Sequence, residues 1–433
     1  MPEALYDVAI IGGGPAGSSA ATLLARAGRR VVVCEREKFP RFHIGESLLP
    51  VSMKTFTRLG VHEKFERAGF LKKYGGEMTS ACSEEGVKFY FKDGCRSQTE
   101  YSYQVPRAQF DEVLLDHAAE NGAEVREQTL VREIEFLPDR VELQLQTRTG
   151  AQEKIAARYV IDASGRHSVI GNHFKLRETY PHLRKISIFA HYEGVDLEEG
   201  RDASLTRQVR AADRWFWWVP LPNDRSSIGV VLDTDLYRAA KKSPEEFLEQ
   251  SLAEQPFLAR RMTRARRVTP AYASADFSYR LKRLTGERWI LAGDAAGFID
   301  PVFSSGVFLA LLGGEAAADI LNIVLDHPRK APRLFAGYER LLRRVMDGYL
   351  RFVDAWYSKE FIEVFLYPQD ILQIPPAVNA VLGGNISGSF AIRWRMAAFY
   401  FIVWLQRYFP LCPRRTLVPS KQQAALEPLR PAA

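Results

Sequence analysis

Cysteine is scarce in this sequence: Cys34, Cys82, Cys95 and Cys412 are the only four in 433 residues. None forms a CxxC pair and no histidine cluster lies beside them, so no metal site is expected. So few cysteines in a long chain point to a reducing compartment, and a cytoplasmic location is expected. Long apolar runs are also lacking. The longest, Met396 to Leu405, is about ten residues, too short to cross a bilayer. The first residues lack the charged and apolar pattern of a signal peptide. No dense Lys/Arg block is present, which argues against a nucleic-acid partner.

What is present suits a folded, globular chain. Hydrophobic residues make up 46% and charged residues 26%, enough for a sizeable core, and 433 residues suggest two or three linked units. The net charge is +7 and the pI about 9.1. That balance leans towards anionic partners: a dinucleotide, phosphopantetheine, an acidic carrier protein or a membrane surface. A mildly basic chain with no such partner fits the same numbers.

Asp7 to Ile11 reads as a short buried strand, Ala16 to Ala27 as a helix and Arg30 to Glu35 as a second strand, together a βαβ unit. Helices are expected over 54–68, 109–121 and 306–324. Alternating segments across 75–103, a strand pair over 124–146, and the segments 185–193 and 215–233 suggest sheets. Arg158 to Asp162 and Arg288 to Ala292 read as short buried strands. Beyond Pro332 the pattern is helical and rich in aromatics, broken at Gly383-Gly384-Asn385 and resumed over 393–408. The end, rich in Pro, Lys, Gln and Ala, is expected to be a disordered tail.

Gly12, Gly14 and Gly17 form GxGxxG between the first strand and the helix, and the second strand ends in Glu35 about twenty residues on. Gly12 permits a tight turn, Gly14 lets backbone approach a pyrophosphate, and Gly17 allows close packing of helix on strand. The helix N-terminus offers N–H groups and a positive dipole end to phosphates, and Glu35 can accept from ribose hydroxyls. Two later segments extend the pattern: Asp162-Ala163-Ser164-Gly165, and Ala292-Gly293-Asp294-Ala295. With the fingerprint they resemble the flavoprotein monooxygenase superfamily, in which the acid of the Gly-Asp pair holds the ribitol chain of FAD. Asp294 matches that acid; capping of the following helix is its structural alternative.

Three further motifs narrow the resemblance. Trp215-Phe216-Trp217-Trp218-Val219-Pro220 fits W-x-W-x-[I/V]-P, Phe70 to Gly75 fits F-x-x-K-x-G with Lys73 at the lysine, and Phe298 to Gly306 fits F-x-x-P-x-x-S-x-G. They resemble signatures of flavin-dependent halogenases. Phe303 stands where tryptophan halogenases carry a glutamate, so the chain resembles the branch that acts on phenols and pyrroles, often tethered to a carrier protein. The Pro40 to Pro50 segment, with Gly45-Glu46-Ser47, resembles a loop of that branch near the flavin.

The resemblance implies an α/β fold: a glutathione-reductase-type, Rossmann-like FAD-binding domain, an antiparallel β-sheet substrate domain and a helical C-terminal region. The expected division is 1–74, 104–175 and 280–330 for FAD, 75–103 and 176–279 for the sheet, 331–410 for a helical lid, and 411–433 for the tail. The implied reaction uses FADH2 and O2 to install chloride or bromide on an electron-rich phenolic or pyrrolic substrate, free or carried on an acyl or peptidyl carrier protein. Such chemistry belongs to secondary metabolism and antibiotic biosynthesis. A second NAD(P)H-binding Rossmann unit is missing, so reduced flavin would come from direct reduction or from a separate flavin reductase.

The implied FAD contacts are Gly12, Gly14, Ala16, Gly17, Glu35, Arg36, Ser47, Arg107, Val131, Asp294, Pro301 and Gly306. Ser305 and Gly306 match the halide-binding amides, and Trp215, Trp217, Pro220 and Phe303 the flavin face and tunnel. Lys73 would hold hypohalous acid by hydrogen bond or as a haloamine. Arginine would serve poorly there, while burial raises the neutral fraction of a lysine. Glu46 is the candidate base for a phenolic proton. A core aromatic strand and surface lysines are the plain alternatives for two of these motifs. An FAD-dependent hydroxylase or a reductase of the geranylgeranyl reductase type is the nearest rival function, and an FAD-binding protein without activity a third. For the aromatic-rich region 333–410 a lid or dock over the substrate tunnel and ordinary helix packing stay open, and membrane-surface attachment through Met396 to Phe409 is a third reading.

Overall fold

The computed structural model describes residues 5–82, 86–95, 99–275, 278–386 and 388–417, so the expected tail lies outside the described residues from 418 on. The chain divides into two compact units. The first comprises Met1–Phe70, Val105–Pro181 and Ser278–Leu350, and the second Leu71–Gln104, His182–Phe277 and Arg351–Ala433.

In the first unit, Leu5–Ile11 is the middle of a parallel sheet, paired on one side with Val31–Cys34 and on the other with Gln152–Asp162. Val8, Ala9 and Ile10 are fully buried, which is why this strand reads as a continuous apolar run. Trp289–Leu291 extends the sheet beyond Gln152–Asp162, and Glu124–Arg126 extends it beyond Val31–Cys34. The strand read as 158–162 is in fact eleven residues long. Its first half pairs antiparallel with Val141–Thr147, which pairs in turn with Thr129–Phe136. Helix Pro15–Arg26 packs against helix Ser305–Asp326. A Cβ on Gly314 would lie 2.2 Å from the Ala16 carbonyl oxygen, so only glycine allows this crossing. Ser305–Asp326 is the helix long and apolar enough to span a membrane among the described residues; here it is largely buried in the fold.

The helix expected over 54–68 is two, Met53–Leu59 and His62–Arg67. Gly60, at φ +70°, ends the first by a left-handed turn. The expected 109–121 helix begins earlier, so Arg107 is its first residue rather than preceding it.

In the second unit a mostly antiparallel sheet runs in the order Lys185–Glu193, Arg225–Asp233, Arg214–Leu221, Thr206–Arg210, Gly75–Ser80, Val87–Tyr90. One pair, Gly75–Ser80 with Thr206–Arg210, is parallel. Ser102–Gln104 leaves this sheet and pairs with Leu71–Lys73. Phe216, Trp218, Ile228 and Val230 form a core with Phe247 and Leu248 of helix Pro244–Ala253 and with Phe257 and Leu258. Helices Lys359–Phe365 and Phe390–Tyr408 meet through aromatic rings, Phe361 and Phe399 packing edge to face at 5.4 Å, and Ile374–Leu382, which carries no aromatic residue, packs on Phe390–Tyr408. The architecture is the expected one: a Rossmann-like unit, a sheet unit and C-terminal helices.

Candidate active site

The glycine turn has the geometry its spacing implied. Gly12 sits at φ +101°, and a Cβ there would fall 2.4 Å from the Ala163 carbonyl oxygen. A Cβ on Gly17 would fall 2.0 Å from the Gly12 carbonyl oxygen. Gly14 differs: its missing Cβ would meet only the Arg41 guanidinium, at 3.6 Å, so the space above it is open. Gly14 precedes helix Pro15–Arg26, and no side chain caps that terminus. The early N–H groups, including those of Ala16 and Gly17, are therefore available to an anion. Glu35 is buried; its carboxylate accepts from the Gly13 N–H at 2.7 Å and the Glu37 N–H at 2.9 Å. It thus braces the turn with lone pairs left for a ribose. Arg36 is half-exposed and pairs with Glu37 at 3.2 Å. Val131 is packed into the apolar core, which leaves only its main chain for a ligand.

A buried ion cluster borders this turn. Asp111, fully buried, accepts two bonds from Arg107, at 2.8 and 2.9 Å, and one from Arg41, at 2.9 Å. Burial works against its charge, but Arg107 and then Arg41 outweigh that and hold its carboxyl below the usual range. Arg107 also donates to the Ile44 carbonyl at 2.7 Å. Its Nη1 lies 2.9 Å from where a Cβ on Gly45, at φ +106°, would stand. His43 is lowered to about 4, first by burial and then by Arg107, so it is neutral at pH 7. Glu46 and Ser47 are buried, and Glu46 helps keep Arg107 charged. Arg41 and Asp111 were missed by the sequence reading, although Asp111 stands four residues past Arg107 on one helix face.

Asp294 does not cap a helix as its structural alternative required. It lies in the short 3-10 turn Gly293–Ala295, and helix Ser305–Asp326 starts ten residues later. Burial raises its carboxyl to about 6, opposed by Arg107 and Arg166. Asp162 is instead tied down locally, accepting from Ser164 and from the Ile170 N–H at 2.7 Å, and serves to fix its turn. The Phe298 to Gly306 segment is shaped by Asp300, whose side chain accepts from the Val302 N–H at 3.0 Å and starts the turn Pro301–Phe303. Ser304 at φ +56° then turns the chain into the helix, which begins at Ser305 with no side-chain cap. The Ser305 and Gly306 amides are therefore at a helix N-terminus, and Phe303 is buried beside them in sequence. Open space over Gly14, uncapped amides at two helix starts and a carboxyl raised to about 6 suit the phosphates, halide and polyol that FAD chemistry requires.

The second unit carries the remaining motif residues. Lys73 ends strand Leu71–Lys73, pairs with Ser102, and is only 4% exposed. Its Nζ lies 5.3 Å from the centre of the Phe91 ring. Burial lowers its ammonium to about 7, so near neutral pH a large fraction is free amine. Lys72 is half-buried, with Nζ 5.0 Å from the Tyr101 ring. Trp215 and Trp217 lie on the sheet face opposite the helix-covered Phe216 and Trp218. Trp215 donates to the Tyr357 hydroxyl at 3.0 Å, and the Trp217 ring lies over Gly229, where a Cβ would fall 2.5 Å from it. The same alternation puts Pro220 on the side of Trp218, not with the two tryptophans.

The sequence matches the family described as an FAD binding domain over residues 5–351. It is 33% identical over 403 residues to the 1H-pyrrole-2-carbonyl-[peptidyl-carrier protein] chlorinase of Pseudomonas fluorescens, covering 86% of this chain and 89% of that one. Among solved structures it superimposes on a flavoprotein/dehydrogenase of Cytophaga hutchinsonii with a TM-score of 0.85 at 27% identity, covering 93% of this chain and 99% of that one. With the flavin-dependent brominase Bmp2 the TM-score is 0.82 at 27% identity, covering 94% of this chain and all of that one. A match of this extent, on a chain whose glycine turn and lysine strand have the geometry described, makes it a member of the flavin-dependent halogenases, FAD-using oxidoreductases of the flavoprotein monooxygenase superfamily.

Proposed function

We propose that this halogenase transfers oxidised chloride or bromide to a pyrrolic or phenolic ring by way of Lys73. Reduced FAD and O2 supply the oxidation of halide to hypohalous acid. Gly12, Gly14, Ala16 and Gly17 present the turn that takes the pyrophosphate, with Glu35 and Arg36 towards the ribose, Asp294 towards the ribitol, and the main chain of Val131, Ser47, Arg107 and Pro301 completing the cradle. The Ser305 and Gly306 amides hold the halide. The Lys73 amine, neutral in good part near pH 7, takes the halogen as R–NH2 + HOX → R–NHX + H2O, or holds HOX by hydrogen bond. The ring then takes the halogen and returns the amine. Glu46 is the candidate acceptor for a phenolic proton.

The observation that carries the Lys73 role is an amine 4% exposed and lowered to about 7 by burial alone. A surface lysine would keep its full charge. The pyrrole reading rests on the carrier-bound substrate in the name of the Pseudomonas relative, and the phenylalanine at 303 speaks against free tryptophan. A carrier protein, a separate flavin reductase and a cytoplasmic setting complete the proposal; the four cysteines are unpaired, as a reducing compartment requires.

The test incubates the FAD-loaded enzyme, a flavin reductase, NADH and bromide with free and carrier-bound pyrroles and phenols. Products carrying the bromine isotope doublet support the reading. Flavin oxidation with only hydroxylated or unaltered rings across the panel overturns it.

A further inference from the structure

Among the described residues, the last helix of the second unit leaves a face without cover. Along Phe390–Tyr408 the exposed positions recur every three or four residues. Phe390 is 74% exposed, Phe401 57%, Trp404 51% and Tyr408 60%. Phe401 stacks on Trp404 at 5.7 Å, and Trp404 meets Tyr408 edge-on at 5.3 Å, so the three rings form one ladder. A nearby loop adds to it. Ile371 and Leu372 are 54% and 58% exposed, and Leu372 and Gln373 take left-handed φ values of +55° and +54°. Arg395 of the helix donates to the Leu372 carbonyl at 2.8 Å and to the Gln373 side chain at 3.1 Å, which ties the loop tip to the helix.

Charge decides what such a face meets. From Ile371 to Leu417 the sequence has no Asp or Glu and five arginines. The acids that approach from the neighbouring helix are Glu360, 3.8 Å from Arg407, and Glu363, which is fully buried and 3.2 Å from Arg414. Arg393 stands exposed on the same stripe as the rings. A second copy of this surface would set arginine against arginine. Aromatic rings standing half out of the surface, beside arginines and a two-residue apolar tip, are what an anionic lipid interface takes: rings at the acyl boundary, guanidinium groups at the phosphates.

We propose that the Phe390–Tyr408 helix and the Ile371-Leu372 tip dock this halogenase peripherally on a membrane surface of anionic phospholipid. The helix lies along the interface and does not span it.

The purified, FAD-loaded full chain is floated with vesicles of phosphatidylcholine alone and of phosphatidylcholine with phosphatidylglycerol. Flotation is expected with the anionic vesicles only, and is expected to weaken with added salt. Phe401→Ser/Trp404→Ser, and separately Ile371→Ser/Leu372→Ser, should each lower the bound fraction about tenfold. Arg393→Glu should lower it several-fold, and all three should keep the halogenation rate on a free substrate. These side chains are exposed, so a native thermal melt confirms that each variant is folded. No flotation by the wild-type chain, or flotation unchanged in both double variants, overturns the proposal. So does a wild-type dimer that Phe401→Ser/Trp404→Ser makes monomeric, or a loss confined to turnover of carrier-bound substrate without vesicle binding. Failure here leaves the Lys73 reading untouched, because that is read from organohalogen and not from flotation.

Discussion

Arg107 in the first unit and Lys73 in the second are both cations that water scarcely reaches, at 5% and 4% exposure, yet their charges fare oppositely. Arg107 is met by a carboxylate on its own helix face, shared with Arg41, and by the Ile44 carbonyl. Burial opposes its charge, but Asp111 more than restores it and the guanidinium is raised. Lys73 lies beside the Phe91 ring, and burial alone draws it down to about 7. At Arg107 the first unit therefore holds a fixed charge, and at Lys73 the second makes a base whose protonation can change near neutral pH. Arginine suits the first task because it cannot lose its proton, and lysine suits the second because it can.

The largest effect that could break this comparison is at Lys73. Lys73→Ala should lower organohalogen yield at least about 100-fold, with flavin oxidation within roughly twofold of wild type. Lys73→Arg should do no better, since it restores a cation without a neutral nitrogen. Product masses against NADH consumption measure both. Halogenation surviving in Lys73→Arg would mean that charge, not a free amine, is what this position supplies.

Asp111→Asn comes next. It leaves two buried guanidinium groups short of their counter-ion, a loss of roughly 3–5 kcal/mol where no rearrangement relieves it. Chemical denaturation should show that loss, and the purified variant should retain less flavin because Arg41, whose Nη2 stands 3.6 Å from the Cβ position of Gly14, is no longer held. A variant with wild-type stability would show that the arginines find water or each other's neighbours when Asp111 is neutral.

The glycine fingerprint, the Gly-Asp pair and the lysine motif were legible because each is encoded by residues close in sequence, whereas the strand Leu71–Lys73 that carries the lysine was not expected. Glycine spacing dictates the turn, and an apolar run dictates the central strand. Arg41 over Gly14 was not legible, since nothing local in Pro40-Arg41-Phe42 says which turn it will reach. The Asp294 capping alternative fell because the 3-10 turn and the Asp300-braced loop intervene before the helix. The position of Pro220 followed from strand alternation that the motif, read as a string, ignored. The eleven-residue strand ending at Asp162 looked short because its first three residues, Gln152-Glu153-Lys154, are polar and exposed or partly exposed, unlike the apolar run that follows.

The pH dependence of Lys73 sharpens the comparison with a smaller effect. Between about 7 and its usual 10.5 the folded chain binds fewer protons at this site than the unfolded chain does, so stability from this group rises with pH across that window. Its penalty is full below about 7. Lys73→Met should therefore be more stable than wild type at about pH 6, by a few kcal/mol, with the difference closing by about pH 11. In activity, halogenation per flavin oxidised should rise through about pH 7 in the wild type as the free amine appears. A flat profile from about pH 6 to 8 would place the ammonium's pKa elsewhere and remove burial as the cause.

The smallest expected change in stability, and the most specific in binding, is at Gly14. Its φ of −71° and ψ of −176° are open to any residue, and an added Cβ meets nothing closer than 3.6 Å. Replacing glycine by alanine there restricts the unfolded chain, worth about 0.4–1 kcal/mol, while alanine is the poorer residue at a helix N-cap by a comparable amount. The two oppose each other, so Gly14→Ala should unfold within about 1 kcal/mol of the wild-type apoprotein. The same methyl would occupy the space through which backbone approaches the pyrophosphate, so flavin affinity should fall while stability holds. Titration of the apoprotein with FAD separates the two quantities. Unchanged affinity would mean that the phosphates pass elsewhere, and that the open space above Gly14 belongs to the Arg41 side chain alone.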